Sequence, residues 1–98
     1  MKTITSAELK NKLNTDADFF LIDVRSNEEY DQGHIAKALF GPWETITERV
    51  KGIKPSQELI LYCNTGVRAK KAASALEEVG YNNLSVLIPG WIEWNIQE

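Results

Sequence analysis

A single cysteine, Cys63, is the residue best suited to chemistry in this 98-residue chain. Gly66 and Arg68 follow it, so the spacing is Cys-x4-Arg. Glycine lets a short loop curl until successive amide N–H groups face one point, and such a nest binds anions. A thiolate held there would be nucleophilic near neutral pH. The pattern therefore favours nucleophilic chemistry at Cys63, although a free cysteine at a strand end is commonly just a small buried hydrophobe.

Composition excludes several other kinds of site. One cysteine rules out an intrachain disulfide, a CxxC redox pair and a cysteine-rich zinc site, and one histidine rules out multi-histidine clusters, so we expect no metal. The net charge of −3 and the pI near 5.2 disfavour nucleic-acid binding. Three basic residues nevertheless cluster just after the loop, which predicts a local cationic mouth for an anionic substrate: Arg68, Lys70 and Lys71.

Length and patterning predict one domain, residues 1–98, without linkers or repeats. A hydrophobic content of 43% argues against disorder. No segment approaches the ~18 consecutive apolar residues of a membrane span. The first residues also lack the apolar stretch of a signal peptide. We therefore expect a cytoplasmic protein without a membrane partner.

Strand-like and helix-like segments alternate along the chain. Apolar runs predict buried strands at 19–24, 59–62 and 84–88, and a brief strand at 38–40. Two capping boxes, Thr5-x-x-Glu8 and Ser26-x-x-Glu29, predict helices at about 6–14 and 26–33. Apolar residues at helical spacing predict further helices at 43–53, 68–79 and 91–97. This alternation predicts an α/β fold with a mostly parallel sheet covered on both faces.

The predicted sheet brings several side chains to one edge. Cys63 follows one buried strand, and ligands of open α/β sheets bind beyond the carboxyl ends of the strands. Asp23 and Arg25 end another strand at that edge; we favour a bracing role over substrate contact, because a charge near the core needs a partner. His34 could act as a general base. A thiolate activated by amides needs none, so we favour a role in bracing the turn.

These segments together resemble the rhodanese family of sulfurtransferases in its single-domain form, over nearly the whole chain. The resemblance implies a five-stranded, mainly parallel sheet flanked by helices on both faces. It is carried by four pieces in order: Leu21-Ile22-Asp23-Val24-Arg25, Tyr30-x-x-Gly33-His34-Ile35-x-x-Ala38, Tyr62-Cys63-Asn64-Thr65-Gly66-Val67-Arg68-Ala69 and Pro89-Gly90-Trp91-x-x-Trp94.

The resemblance implies a persulfide cycle without a cofactor. Cys63 would attack the outer sulfur of thiosulfate, sulfite would leave, and the persulfide would pass its sulfur to cyanide or a thiol. Arg68 would bind the anionic donor. The loop amides would hold the sulfur anion. The substrate-binding residues would therefore be Asn64, Thr65, Gly66 and Val67. Thiosulfate, a cysteine-desulfurase persulfide, glutathione persulfide and a sulfur-relay protein all stay open as partners.

The sequence departs from the family pattern outside the cysteine loop. Ala36-Lys37 replaces a usual Pro-Gly, Phe40 stands where Asn or His is frequent, and Pro89 replaces a glycine. These departures bear on substrate preference more than on sulfur chemistry.

Two other functions compete with sulfur transfer. Cysteine phosphatases also use a Cys-to-Arg anion loop, but with the spacing Cys-x5-Arg. The loop of this chain is one residue shorter and makes a tighter nest, which suits one sulfur atom better than a tetrahedral phosphate. A rhodanese-like module that only binds a partner is the second alternative.

Overall fold

The computed structural model describes residues 1–97, in which five strands alternate with helices. The strands are β1 (Lys2–Ile4), β2 (Phe20–Asp23), β3 (Leu39–Phe40), β4 (Leu59–Tyr62) and β5 (Leu84–Leu87). The α-helices are α1 (Ser6–Leu13), α2 (Asn27–Gln32), α3 (Ile46–Arg49), α4 (Val67–Glu78) and α5 (Trp91–Gln97). Among these residues, none of the helices has both the length and the apolar character needed to cross a membrane.

The strands form one sheet in the order β1-β5-β4-β2-β3, and every pairing is parallel. β4 therefore lies at the centre, between β5 and β2. This arrangement confirms the predicted α/β fold with a five-stranded parallel sheet. It also places the carboxyl ends of the three middle strands side by side at one edge.

Two hydrophobic clusters cover the two faces of the sheet. Side chains of a strand alternate between faces. Leu59 and Leu61 of β4 accordingly join one cluster, which includes the alanines of α4, while Ile60 and Tyr62 join the other, which includes Leu9 of α1. All four β4 residues are fully buried, so the continuous apolar run reflects helices on both sides.

Both predicted capping boxes are present. The Thr5 hydroxyl accepts a hydrogen bond from the Glu8 amide at 3.2 Å, and the Thr5 amide donates to the Glu8 carboxylate at 2.9 Å. Ser26 and Glu29 make the same reciprocal pair at the start of α2. Each box satisfies amide groups that have no partner within the first helical turn.

The segment predicted as one helix from 43 to 53 is shorter and mixed. A 3-10 turn (Trp43–Thr45) leads into α3, which ends at Arg49. Several β-branched side chains lower the helix propensity of this segment. Ile46 and Val50 are nevertheless buried. The apolar spacing therefore predicted the buried positions correctly, but the helix is shorter than predicted.

The turn before β3 contains a strained residue. Lys37, with φ of 74°, is the one residue other than glycine between positions 1 and 97 with a positive φ. It stands where the family that the chain resembles is expected to have the glycine of Pro-Gly. A left-handed conformation costs an L-residue about 1–2 kcal/mol. Exposure of the side chain leaves little packing to compensate.

Lys37→Gly is therefore expected to stabilise the fold. After the entropic cost of glycine in the unfolded chain, a gain of about 0.5–1 kcal/mol remains, or several degrees in Tm. Thermal unfolding followed by circular dichroism measures it. Ala36→Gly, at the preceding exposed position, is the matched control and should lower Tm. A higher Tm in both variants would contradict this explanation, because it would show that glycine stabilises the turn at either position and not through relief of strain at Lys37.

Candidate active site

Cys63 lies at the carboxyl edge of the sheet, directly after β4. Neighbouring strands bring two further segments there. Asp23, the last residue of β2, pairs in register with Tyr62, and the turn after β5 carries Gly90. Three segments distant in sequence therefore surround the thiol.

Backbone amides point at the sulfur of Cys63. The Gly66 N–H lies 3.1 Å from Sγ and the Ala69 N–H lies 3.3 Å from it. Ala69 belongs to the first turn of α4, so the sulfur also faces the positive end of that helix. The side chain is only 1% exposed. This geometry suits a sulfur anion held by preorganised dipoles.

The tight path of the cysteine loop depends on Gly66. Its φ of 93° lies in the left-handed region, and it precedes the first residue of α4. A Cβ at this position would lie 2.8 Å from Cδ1 of Ile88. The left-handed conformation therefore requires glycine, as the sequence predicted, whereas the close contact is with the flexible end of the Ile88 side chain.

The other side of the loop is held by the chain after β5. The Trp91 amide donates to the Cys63 carbonyl at 2.9 Å, and the Ile92 amide donates to the Asn64 carbonyl at 3.4 Å. Gly90 is packed directly against these carbonyl groups. The backbone of the loop is thus anchored from a segment outside it.

Arg68 does not stand alone over the loop, because Glu29 binds it through two hydrogen bonds. Nη1 of Arg68 lies 2.7 Å from Oε1 of Glu29, and Nη2 lies 3.0 Å from Oε2. The hydrogen bonds from Arg68, and further ones from Ser26, hold the pKa of Glu29 well below its usual range although partial burial acts in the opposite sense. The hydrogen bonds to Glu29 likewise raise the pKa of Arg68. The cationic mouth predicted at this position is therefore compensated by a carboxylate.

Glu29 is the site residue that the sequence reasoning missed. The Ser26-x-x-Glu29 pattern assigned it a helix-capping role, which it does have. A carboxylate has two oxygens, however, and Oε2 is not used by the cap; it accepts hydrogen bonds from Arg68 and, at 2.9 Å, from Nδ2 of the Asn64 side chain. The position of α2 at the carboxyl end of β2 was the available signal, since it places the first turn of α2 at the same edge as Cys63.

Asp23 and Arg25 form a buried ion pair beside the loop. Both side chains are almost fully buried, and Nη2 of Arg25 lies 2.7 Å from Oδ2 of Asp23. Burial by itself would lower the pKa of Arg25, but the hydrogen bonds and the charge of Asp23 hold it above its usual range. Arg25 also donates to the Gly33 carbonyl at 2.7 Å and to the Asn64 side chain at 3.3 Å. The pair thus ties β2 and the end of α2 to the cysteine loop.

His34 lies outside the sulfur cradle. Its Nδ1 lies 2.8 Å from the Tyr30 carbonyl, to which it must donate because a carbonyl only accepts, and its ring stacks on Tyr30 with centroids 3.7 Å apart. The ring is exposed and borders a cavity of about 510 Å³ between α2, Asn64 and α5. These contacts are those of a residue that braces the turn after α2.

The remaining residues of the predicted site differ in exposure. Thr65 is exposed, Val67 is 60% exposed, and Asn64 is half-buried in the hydrogen-bond network described above. Lys71 makes a cation–π contact with Trp43, in which Nζ lies 5.1 Å from the ring centroid. Within residues 1–97, no three His, Cys, Asp or Glu side chains are grouped to hold a metal ion.

Tyr62, the residue before Cys63, packs in the hydrophobic cluster on the other face of the sheet. Its side chain is fully buried, and its hydroxyl accepts a hydrogen bond from the Ile35 amide at 3.0 Å. Burial first, and then the charge of Asp23, raise the pKa of this hydroxyl well above its usual range. Tyr62 therefore stays neutral and fixes the segment after α2 to the sheet.

Comparisons with known proteins agree with this geometry. Residues 5–97 match the family model described as "Rhodanese-like domain". A sulfurtransferase of Allochromatium vinosum is 33% identical over 91 residues, which cover 93% of this chain and 85% of the relative. The structure of a rhodanese-like domain protein from Staphylococcus aureus superposes with a TM-score of 0.85 at 34% identity, covering 96% of this chain and 91% of that one. The human single-domain sulfurtransferase TSTD1 superposes with a TM-score of 0.90 at 25% identity, covering 100% and 98%.

Proposed function

This chain belongs to the rhodanese-like domain family of sulfurtransferases, and on that premise we propose that it transfers a sulfane sulfur through a persulfide on Cys63. One observation carries the proposal: two backbone amides, those of Gly66 and Ala69, are directed at the Cys63 sulfur. Amide N–H groups are the hydrogen-bond donors that a sulfur anion needs, and the nucleophile of this reaction is such an anion.

In the first half of the proposed cycle, Cys63 accepts sulfur. Its thiolate attacks the outer sulfur of a donor such as thiosulfate, a new S–S bond forms, and the S–S bond of the donor breaks. The leaving group, sulfite in this case, takes the electron pair. The negative charge then resides on the terminal sulfur of the persulfide, beyond Sγ, and amides of the cysteine loop would hold it there.

In the second half, the sulfur leaves. A nucleophilic acceptor, cyanide or a thiolate, attacks the terminal sulfur, and Cys63 departs as a thiolate into the same ring of amides. The nest thus stabilises the thiolate at the beginning and the end of the cycle, and no other protein group has to exchange a proton with the sulfur.

Intact-mass spectrometry tests the proposal directly. Incubation with thiosulfate or cysteine persulfide should add the mass of one sulfur atom, and subsequent cyanide should remove it as thiocyanate. The absence of a mass gain with every sulfane donor would overturn the proposed function. Hydrolysis of a generic aryl phosphate, measured on the same preparation, should be absent; observed hydrolysis would favour the cysteine-phosphatase alternative.

A further inference from the structure

The two arginines beside the cysteine loop are each paired with a carboxylate. Arg25 is bound by Asp23, and Arg68 is bound by Glu29. Each terminal nitrogen of Arg68 keeps a second hydrogen, but its positive charge is already compensated. An incoming anion thus meets a neutral ion pair at Arg68.

Glu29 is held in place by five donors. Oε1 accepts hydrogen bonds from the Ser26 amide at 3.0 Å, the Ser26 hydroxyl at 2.9 Å and Arg68 at 2.7 Å. Oε2 accepts from Asn64 at 2.9 Å and from Arg68 at 3.0 Å. Displacing this carboxylate from Arg68 would break part of the helix cap and the link to the loop as well. The Glu29 carboxylate is therefore an anion fixed in position at the site, because hydrogen bonds hold both of its oxygens.

A fixed anion affects sulfur donors differently. Thiosulfate is a dianion whose oxygens need a cationic partner, and it must compete with Glu29 for Arg68 while being repelled by it. In a persulfide carried by a small thiol, the reacting S–S group has its charge on sulfur, which the loop amides can hold, and no oxyanion is bonded to either of its two sulfur atoms. The Glu29–Arg68 ion pair therefore weakens the binding of thiosulfate and has little effect on the binding of a thiol-borne persulfide.

We propose that Glu29 is a specificity-determining residue: by holding Arg68 in an ion pair, it disfavours oxyanion donors such as thiosulfate and leaves thiol-borne persulfides as the preferred donors. This inference rests on the proposed function of Cys63. It deepens that function by selecting the class of donor.

The preferred reaction is balanced without a further reagent. The Cys63 thiolate attacks the terminal sulfur of R–S–SH, and the S–S bond of the donor breaks. R–S⁻ leaves with the electron pair and takes up the proton of the transferred sulfur, which gives R–SH and the Cys63–S–S⁻ anion. One S–S bond replaces another, so neither an oxidant nor a reductant is needed.

Glu29→Gln tests the assignment, because glutamine also serves at this position of a capping box and retains a carbonyl acceptor for Ser26. Loss of the charge should lower the KM for thiosulfate by up to about fivefold, as expected for one nearby partly exposed charge. The KM for cysteine persulfide should change less than about twofold by the same reasoning. Glu28→Gln is the matched control: the neighbouring side chain is exposed, the charge change is identical, and neither KM should move.

The possible outcomes separate this inference from the proposed function. If Cys63 still forms a persulfide but the thiosulfate KM of Glu29→Gln equals that of the wild type, Glu29 does not select donors. An equal fall in kcat for both donors with KM unchanged would make Glu29 a positioning residue for the loop and would likewise overturn the inference. No persulfide from any donor, even in the wild type, would instead overturn the proposed function.

The unmodified protein supplies a second measurement should Glu29→Gln not fold. Its kcat/KM for cysteine persulfide should exceed that for thiosulfate by at least about tenfold, equivalent to about 1.4 kcal/mol of discrimination. An equal or larger kcat/KM for thiosulfate would overturn the inference.

Discussion

Cys63→Ser is expected to abolish sulfur transfer, with a loss of at least about a thousandfold in the rate of thiocyanate formation from thiosulfate and cyanide. A serine hydroxyl is a far weaker nucleophile than a thiolate, and the sequence contains no other cysteine to replace it. The amides of Gly66 and Ala69 cannot compensate, because they stabilise an anion that serine does not form near neutral pH.

Retention of the fold distinguishes this loss from a collapse of the site. Serine is close to cysteine in size, and its oxygen can accept the hydrogen bonds that Sγ now accepts. Burial of the hydroxyl should cost about 1–2 kcal/mol, measurable by urea unfolding. A serine variant that remained folded and still gained the mass of a sulfur atom would contradict the assignment of Cys63.

Gly90→Ala is expected to cause the largest loss of stability among the single-residue changes considered for this fold, about 3 kcal/mol or more. A Cβ at this position would overlap the carbonyl oxygen of Cys63 and would lie 2.8 Å from that of Asn64. Both neighbours are backbone atoms and cannot rotate away. Either the turn after β5 or the cysteine loop must move, so sulfur transfer should fall with the unfolding free energy.

Gly80→Ala is the matched control for the clash. Gly80 also has a positive φ, 101°, but nothing lies within 4 Å of the position that its Cβ would take. The substitution should therefore cost only about 1–2 kcal/mol for the backbone conformation, without loss of transfer. Equal unfolding free energies for the two variants in urea titrations would show that contact with the cysteine loop is not what requires Gly90.

The parts of the fold predicted correctly are those whose signal is local. Leu59 to Tyr62 is a continuous apolar run because both faces of β4 are covered, and Thr5 and Ser26 mark helix starts through contacts three residues away. β1 was missed because Lys2–Ile4 is short and mostly exposed. This segment is a strand because it pairs with Ser85 to Leu87. Its own three residues are too few to show the hydrophobic pattern of a strand.

The same distinction applies to the site. The cysteine loop could be read from the sequence because Cys63, Gly66 and the start of α4 are neighbours in the chain. The ion pair of Glu29 with Arg68 joins residues 39 positions apart, so its formation depends on how α2 and α4 meet at the edge of the sheet. The local charge pattern after the loop consequently suggested a free cation where the fold provides a compensated one.

The pairing of β1 with β5 has a consequence for folding during synthesis on the ribosome. β1 is synthesised before its parallel partner β5, because Ser85 pairs with Lys2 from far along the chain. The amides of Trp91 and Ile92, which hold the carbonyls of Cys63 and Asn64, follow later still. Non-local parallel pairings form late in folding, and domains complete as units. The Cys63 thiol is thus synthesised before the segment whose amides support its loop, and the candidate site is completed among the last events of folding.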